Sequence, residues 1–245
     1  VTQLRRMTAR SVVLSVLLGA HPAWASAAEL IRLTADFGIR EQTLRVALTR
    51  MVSAGDLVRS ADGYRLSDRL LARQRRQDAA LSPRTRDWTG EWTTLVITSV
   101  GVDPRSRAEL RKALQDLRFG ELREGLWLRP NNLDAELSPR VADRVRILRS
   151  RDDAPRQLAG QLWDLPAWAA DGARLLDEMA AAPDVPRRFV IAAAMVRHLL
   201  VDPVLPDELL PAEWPGAALR TAYREFADEL AARRDPIHTL QEATP

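Results

Sequence analysis

Between residues 8 and 68 the apolar positions keep a helical period three times and then switch to a strand-like one. Val13, Val16 and Leu17 give a first segment, about 9–19, one apolar face that stops before Pro22. Leu30, Leu33 and Phe37 follow a Ser26-x-x-Glu29 capping box, in which side chain and backbone satisfy each other's orphan donors, so a second helix is expected over about 27–36 with Gly38 as its breaker. Leu44, Ala47, Leu48, Met51 and Val52 recur at i, i+3, i+4, i+7 and i+8, the stripe of a helix packed on one side, expected over about 40–54 and closed by Gly55. Its opposite face carries Gln42, Arg45, Val46, Thr49 and Ser53, flanked by Thr43 and Arg50. Two short strands, Asp56 to Ser60 and Tyr64 to Leu66, then bracket Ala61-Asp62-Gly63, and Asp-Gly is a strong hairpin signal.

The pattern continues differently downstream. Trp92 to Val100 is a β-branched run that reads as a buried strand. Asp103-Pro104 offers an N-cap followed by proline at the first helical position, ahead of a helix with Leu110, Ala113, Leu114 and Leu117 on one face. Phe119 to Leu122 and Leu126 to Leu128 read as strands joined near Gly125, Ser138-Pro139 opens a short helix, and Val145 to Leu148 is a last strand. Strand, helix, strand, strand, helix, strand is the order of a ferredoxin-like unit. From Pro155 onward the periodicity is helical, punctuated by Leu165-Pro166, Pro183, Pro186 and the loop Asp202 to Pro211, with helices expected over about 155–164, 167–182, 187–201 and 217–234.

The expected architecture is therefore α+β in three parts: an N-terminal winged helix-turn-helix with a linker helix over 1–80, a ferredoxin-like middle domain over 88–151, and an all-helical C-terminal domain over 152–245.

Charge sharpens that division. The whole chain has a formal net charge of only +3, yet residues 1–80 hold 13 basic against 7 acidic side chains, and residues 151–245 hold 10 against 16. A basic head and an acidic tail point to nucleic acid as the partner of the head. A helix fits the major groove, where arginine pairs with guanine edges and glutamine with adenine. The candidate DNA contacts are Arg40, Gln42, Thr43, Arg45, Thr49 and Arg50 on the third helix and Arg59 and Arg65 on the wing. Arg69, Arg73, Arg75 and Arg76 continue the basic surface in the linker helix, where further phosphate contacts are expected. The competing reading is a helical protein-protein module with a solvated arginine face.

Chemistry is harder to place. There is no cysteine, and the three histidines, His21, His198 and His238, are scattered, so no metal and no cofactor is expected. Gly120 to Gly125 has the glycine spacing of a phosphate loop, but Leu126-Trp127 stands where that motif needs lysine and a hydroxyl residue. Asp103, and Asp152 with Asp153, are the only supports for a metal-dependent nuclease, and an apolar pocket in the tail the only support for a CoA-ester hydrolase. That enzyme reading is the alternative to a non-enzymatic one. Trp163, Trp168 and Trp214 read as helix packing or as the lining of such a pocket, and His198 as a structural histidine or a ligand sensor.

The N-terminus needs one decision. Arg5, Arg6 and Arg10 ahead of the apolar run Val12 to Ala20, followed by small residues, outline an export signal. The capping box and the helical spacing of Leu30, Leu33 and Phe37 favour a folded helix instead, and the run is too short to span a bilayer. A cytoplasmic protein without a membrane partner is expected.

These residues together resemble the PaaX-like regulators, transcriptional repressors of phenylacetate catabolism and their relatives. The resemblance is carried by Thr8-Ala9-Arg10-Ser11, Phe37-Gly38-Ile39, the helix Leu44 to Val52, Trp92 with Trp127, and Trp163-Asp164-Leu165. Its most specific piece is Leu205-Pro206-Asp207-Glu208-Leu209-Leu210-Pro211 followed by Trp214-Pro215-Gly216. It covers nearly the whole chain in order. The resemblance implies a homodimeric cytoplasmic repressor whose head binds a double-stranded DNA operator and whose remainder dimerises and senses a small acyl-CoA-type effector, phenylacetyl-CoA in the founding members. Arg45, Thr49 and Arg50 match the family's DNA-contacting helix. At Val196-Arg197-His198-Leu199-Leu200 the chain departs from relatives that often carry a histidine followed by acidic and aromatic residues, so no effector-binding residue is carried over.

Overall fold

The computed structural model describes residues 7–99, 103–134 and 136–234. Helices and two antiparallel sheets make it a mixed α+β chain. It falls into two compact units: one runs to Asp78 and adds Asp177–Met195 and the segment from Thr221, and the other comprises Ala79–Leu176 and Val196–Arg220. Among the described residues no helix is long and apolar enough to cross a membrane.

The first unit opens with α1 (Ala9–Leu18), α2 (Ala27–Ala35) and α3 (Glu41–Ser53). The first two start at residues that cap a helix. Thr8 caps α1 by accepting the Ser11 N–H, and Ser26 and Glu29 complete the capping box of α2 in both directions. Gly38 and Gly55 follow α2 and α3 with φ of +66° and +69°, the left-handed backbone that favours glycine after a helix. The helices bury Val12, Val13, Val16 and Leu17 with Leu30, Leu33, Leu44, Leu48 and Met51. The longest alternating piece is the hairpin β2 (Leu57–Arg59) and β3 (Gly63–Leu66), with Arg59 opposite Tyr64 and Leu57 opposite Leu66.

Two features of this sheet differ from the expectation. Trp24–Ser26, the segment between α1 and α2, forms a strand, β1, that pairs antiparallel with β3 and gives the order β1-β3-β2. Gly63, read with Asp62 as part of the hairpin connection, is the first residue of β3 and is not among the glycines with positive φ. Its Cα instead faces β1, where a Cβ would lie 2.3 Å from the Ala25 carbonyl oxygen. Glycine is needed there for close backbone approach. Helix α4 (Asp68–Leu81) follows, and its buried Gln74 donates to the carbonyls of Leu17, Leu18 and Ala20 at the C-terminal end of α1, where carbonyls lack a full set of helical partners.

In the second unit β4 (Trp92–Ile97), α5 (Pro104–Asp116), β5 (Gly120–Arg123), β6 (Leu126–Pro130), α6 (Pro139–Ala142) and β7 (Val145–Ser150) give a four-stranded antiparallel sheet of order β5-β6-β4-β7. The β4 strand ends at Ile97, short of the expected Val100, which lies outside the described residues, as does His238. Alternation puts Leu95 and Trp127 in one core with Leu110, Leu114, Phe119, Val141 and Val145. Trp92 and Leu128 belong to a second core with Leu158, Ala159, Leu165, Leu205 and Leu209.

The tail supplies α7 (Pro155–Leu162), α8 (Leu165–Ala181), α9 (Val185–Leu199), a 3-10 turn at Asp207–Leu209, and α10 (Gly216–Arg234). Leu165-Pro166 and Pro186 were expected to interrupt or precede helices; they lie inside the first turns of α8 and α9. Proline fits there because the first helical N–H groups have no carbonyl partner. Asp164 and Asp184 supply the caps, accepting from Ala167 N and Arg187 N.

Candidate nucleic-acid interface

Because Leu44, Leu48 and Met51 are buried, the other side of α3 faces outward. Gln42, Thr43, Arg45, Thr49 and Arg50 are all exposed on that side, and Arg40 is exposed at the N-cap position without a side-chain capping bond. Arg59 and Arg65 are exposed on the hairpin. The eight sequence candidates thus lie in one unit and are each exposed. Their local partners separate them. Arg45 pairs with Glu41 at 2.6 Å, one helical turn back. The Thr49 hydroxyl donates to the Arg45 carbonyl at 3.1 Å, which leaves its methyl group outward. Arg40, Arg50, Arg59 and Arg65 have no side-chain partner among the described residues, so their guanidinium donors are available for an incoming acceptor.

A groove of about 610 Å³ lies along one flank of α3, lined there by Gln42, Thr43, Val46, Arg50 and the buried Met51, and from the start of α1 by Thr8 and Arg10. Thr8 and Arg10 were not among the sequence candidates. They lie more than thirty positions from α3, and no local pattern links them to it. Arg10 is fixed by the carboxylate of Asp56, which accepts from its Nη2 at 2.7 Å and its Nε at 3.1 Å. The other oxygen of Asp56 accepts from Arg69. Of the four expected linker arginines, Arg69 is thus engaged with Asp56, while all four are exposed along α4. Two guanidinium groups on one carboxylate leave a net positive charge beside the groove, suited to an anionic partner.

The remaining candidates sort differently. Asp103 caps α5, accepting from Ser106 N at 3.0 Å, and Asp152 accepts from Ala154 N in the loop before α7. Among the described residues no three His, Cys, Asp or Glu side chains are grouped to hold a metal. In the second unit, Trp168 stacks on Trp214 at 4.2 Å and on His198 at 4.2 Å, while Trp163 and Trp214 flank the core around Trp92. His198 Nε2 lies 3.0 Å from the Trp168 carbonyl, and the Trp168 indole N–H donates to the carbonyl of His198. Burial holds the His198 pKa below its ordinary 6.5, offset in part by the bond to the Trp168 carbonyl. These rings fill one another's faces, as packing side chains do.

Comparison with known proteins matches the chain to three PaaX domains in order: the PaaX-like protein domain at residues 8–70, the PaaX central Cas2-like domain at 85–158 and the PaaX-like C-terminal domain at 167–239. The transcriptional repressor PaaX of Escherichia coli K12 is 29% identical over 221 residues, covering 78% of this chain and 69% of its own. Among solved structures, an uncharacterized protein of Mycobacterium tuberculosis is 71% identical, superposes with a TM-score of 0.86, and is matched over 94% of this chain and 98% of its own. With all three domains present and collinear, the chain belongs to the PaaX-like family.

Proposed function

We propose that this protein is a sequence-specific transcriptional repressor that binds duplex DNA through α3 and the β2-β3 hairpin. The observation that carries the reading is the outer face of α3, where Gln42, Thr43, Arg45, Thr49 and Arg50 are exposed on the side away from the buried Leu44, Leu48 and Met51. Three helices followed by a hairpin support a winged helix-turn-helix, and the order β5-β6-β4-β7 supports a ferredoxin-like middle unit. In this reading α3 enters the major groove. Gln42 and Arg50 address base edges, Arg45 and Thr49 share the face with Gln42, Arg40 and Thr43 lie beside it, and Arg59 and Arg65 meet phosphates. The relationship to the E. coli repressor supports repression rather than catalysis.

The functional parts are 1–80 for the operator, 88–151 as the middle domain and 152–245 for dimerisation and sensing. A cytoplasmic homodimer would bind two half-sites, and an acyl-CoA of the phenylacetyl-CoA type would release it. Release requires the ligand to favour one dimer geometry over the other, because a ligand shifts an equilibrium only by its differential affinity.

The test is selection of bound sequences from a random duplex pool by the purified protein, followed by mobility shifts across a salt series. A defined site whose affinity falls steeply with salt is expected. Failure to select any sequence, or a flat salt profile, would overturn DNA binding. Thermal shifts with phenylacetyl-CoA against free CoA test the effector separately.

A further inference from the structure

The side of α3 turned away from the core carries one large apolar side chain. At about 100° per residue, Val46 lies about 200° round the helix from Leu44 and about 160° from Leu48, almost opposite the buried stripe. It is 47% exposed, the most exposed large hydrophobic side chain described in the first unit. Gln42 stands one turn before it and Arg50 one turn after, both with it in the groove wall. Stability gives little reason for a β-branched residue at a position this exposed, because valine is a weaker helix former than alanine. One valine ringed by Gln42, Thr43, Thr49 and Arg50 is also too small an apolar area for protein docking. The guanidinium group of Arg50 beside it is complementary to an anionic partner whose surface is polar apart from isolated methyl groups.

Major-groove DNA has that chemistry. Its only apolar protrusion is the C5 methyl of thymine, and a small apolar side chain is its natural contact. We infer that Val46 is a specificity-determining residue that packs against a thymine methyl group, between a base contacted by Gln42 and one contacted by Arg50. The inference rests on the DNA-binding reading and deepens it. Gln42 and Arg50 state hydrogen-bonding preferences, for adenine and for guanine. Val46 adds a requirement that no hydrogen bond can express, because uracil and thymine differ only by that methyl.

The experiment uses the full-length protein and its selected duplex. Each thymine is replaced in turn by deoxyuridine, which removes the methyl and keeps base pairing. Wild-type protein is expected to lose about fourfold in affinity at one position per half-site, the worth of one buried methyl group. Val46→Ala should erase that difference at the same position while binding thymine and uracil duplexes alike, and Val46→Ile should retain it. Melting curves establish that both variants are folded, as expected for an exposed position. The inference is overturned if uracil costs wild type nothing at every position, or if Val46→Ala keeps the penalty, which would assign the methyl contact to another side chain such as Thr49. A protein that selects no site at all overturns the DNA-binding reading and this one with it, so the two failures are distinguishable.

Discussion

Asp56, with a side chain only 3% exposed, accepts from Arg10 at 2.7 Å across 46 residues of chain. The contact ties the start of α1 to the junction between α3 and β2, and Arg69 at the start of α4 closes it from the other side. One carboxylate thereby fixes the wall of the groove that the α3 residues share with Thr8 and Arg10.

Replacing Asp56 with asparagine keeps its size and removes its charge. The amide can accept from one arginine but presents N–H groups to the other. Because both arginines are largely exposed and can turn to water, the expected loss is moderate, about 1–3 kcal/mol. Urea denaturation of the variant measures it, and Arg10→Ala should cost less than Asp56→Asn.

Gly63→Ala should destabilise the first unit by about 1–3 kcal/mol, because its Cβ meets backbone atoms that cannot rotate away. The nearest are the Ala25 carbonyl oxygen at 2.3 Å and the Ser26 Cα at 2.9 Å. A lowered melting temperature together with faster amide exchange over Trp24–Ser26 would identify separation of β1 from β3 as the cause. Unchanged exchange there would refute that cause.

Arg220 and Asp202 form the most buried ion pair described, 14% and 2% exposed, at 2.6 Å. Arg220 also donates to the Ala80 carbonyl, and Asp202 accepts from Val204 N. Arg220→Ala removes the hydrogen-bonded cation and leaves the buried carboxylate only the nearby charge of Arg118, and should cost about 3 kcal/mol. Calorimetric melting checks this, and the double variant Arg220→Ala with Asp202→Ala should be less destabilised than the sum of the two.

His198 predicts a pH dependence. Burial lowers its folded-state pKa below the ordinary 6.5 of an unfolded chain, so folding favours the neutral ring. Its stabilising contribution is complete above pH 6.5 and is lost as pH falls from there toward the folded-state pKa, where the unfolded chain binds the extra proton. Wild type should lose more stability between pH 7.5 and pH 5.5 than His198→Asn does. Equal losses in urea titrations at the two pH values would show that the ring does not titrate with folding.

Local signals were enough for most of the elements. The Ser26-Glu29 box, Gly38, Gly55 and the Asp103-Pro104 start mark helix boundaries that the structure keeps within a residue or two, because capping groups and positive-φ glycines act on the backbone beside them. Those signals misled where proline was read as a break: Pro166 and Pro186 occupy first turns, where the missing N–H has no consequence. The three-residue strand β1 left no readable alternation, and the reason for Gly63 lay on the other strand.

By itself the sequence determined the buried and outward faces of α3, since a 3.6-residue period and side-chain polarity settle both. It also carried the collinear motifs of the PaaX-like family. Only the tertiary structure decided what the outward face meets. Arg10 reaches the groove and Asp56 holds it there. The reason is physical: periodicity encodes the direction of a side chain from its own helix axis, whereas a contact across 46 residues depends on chain closure that no local pattern records.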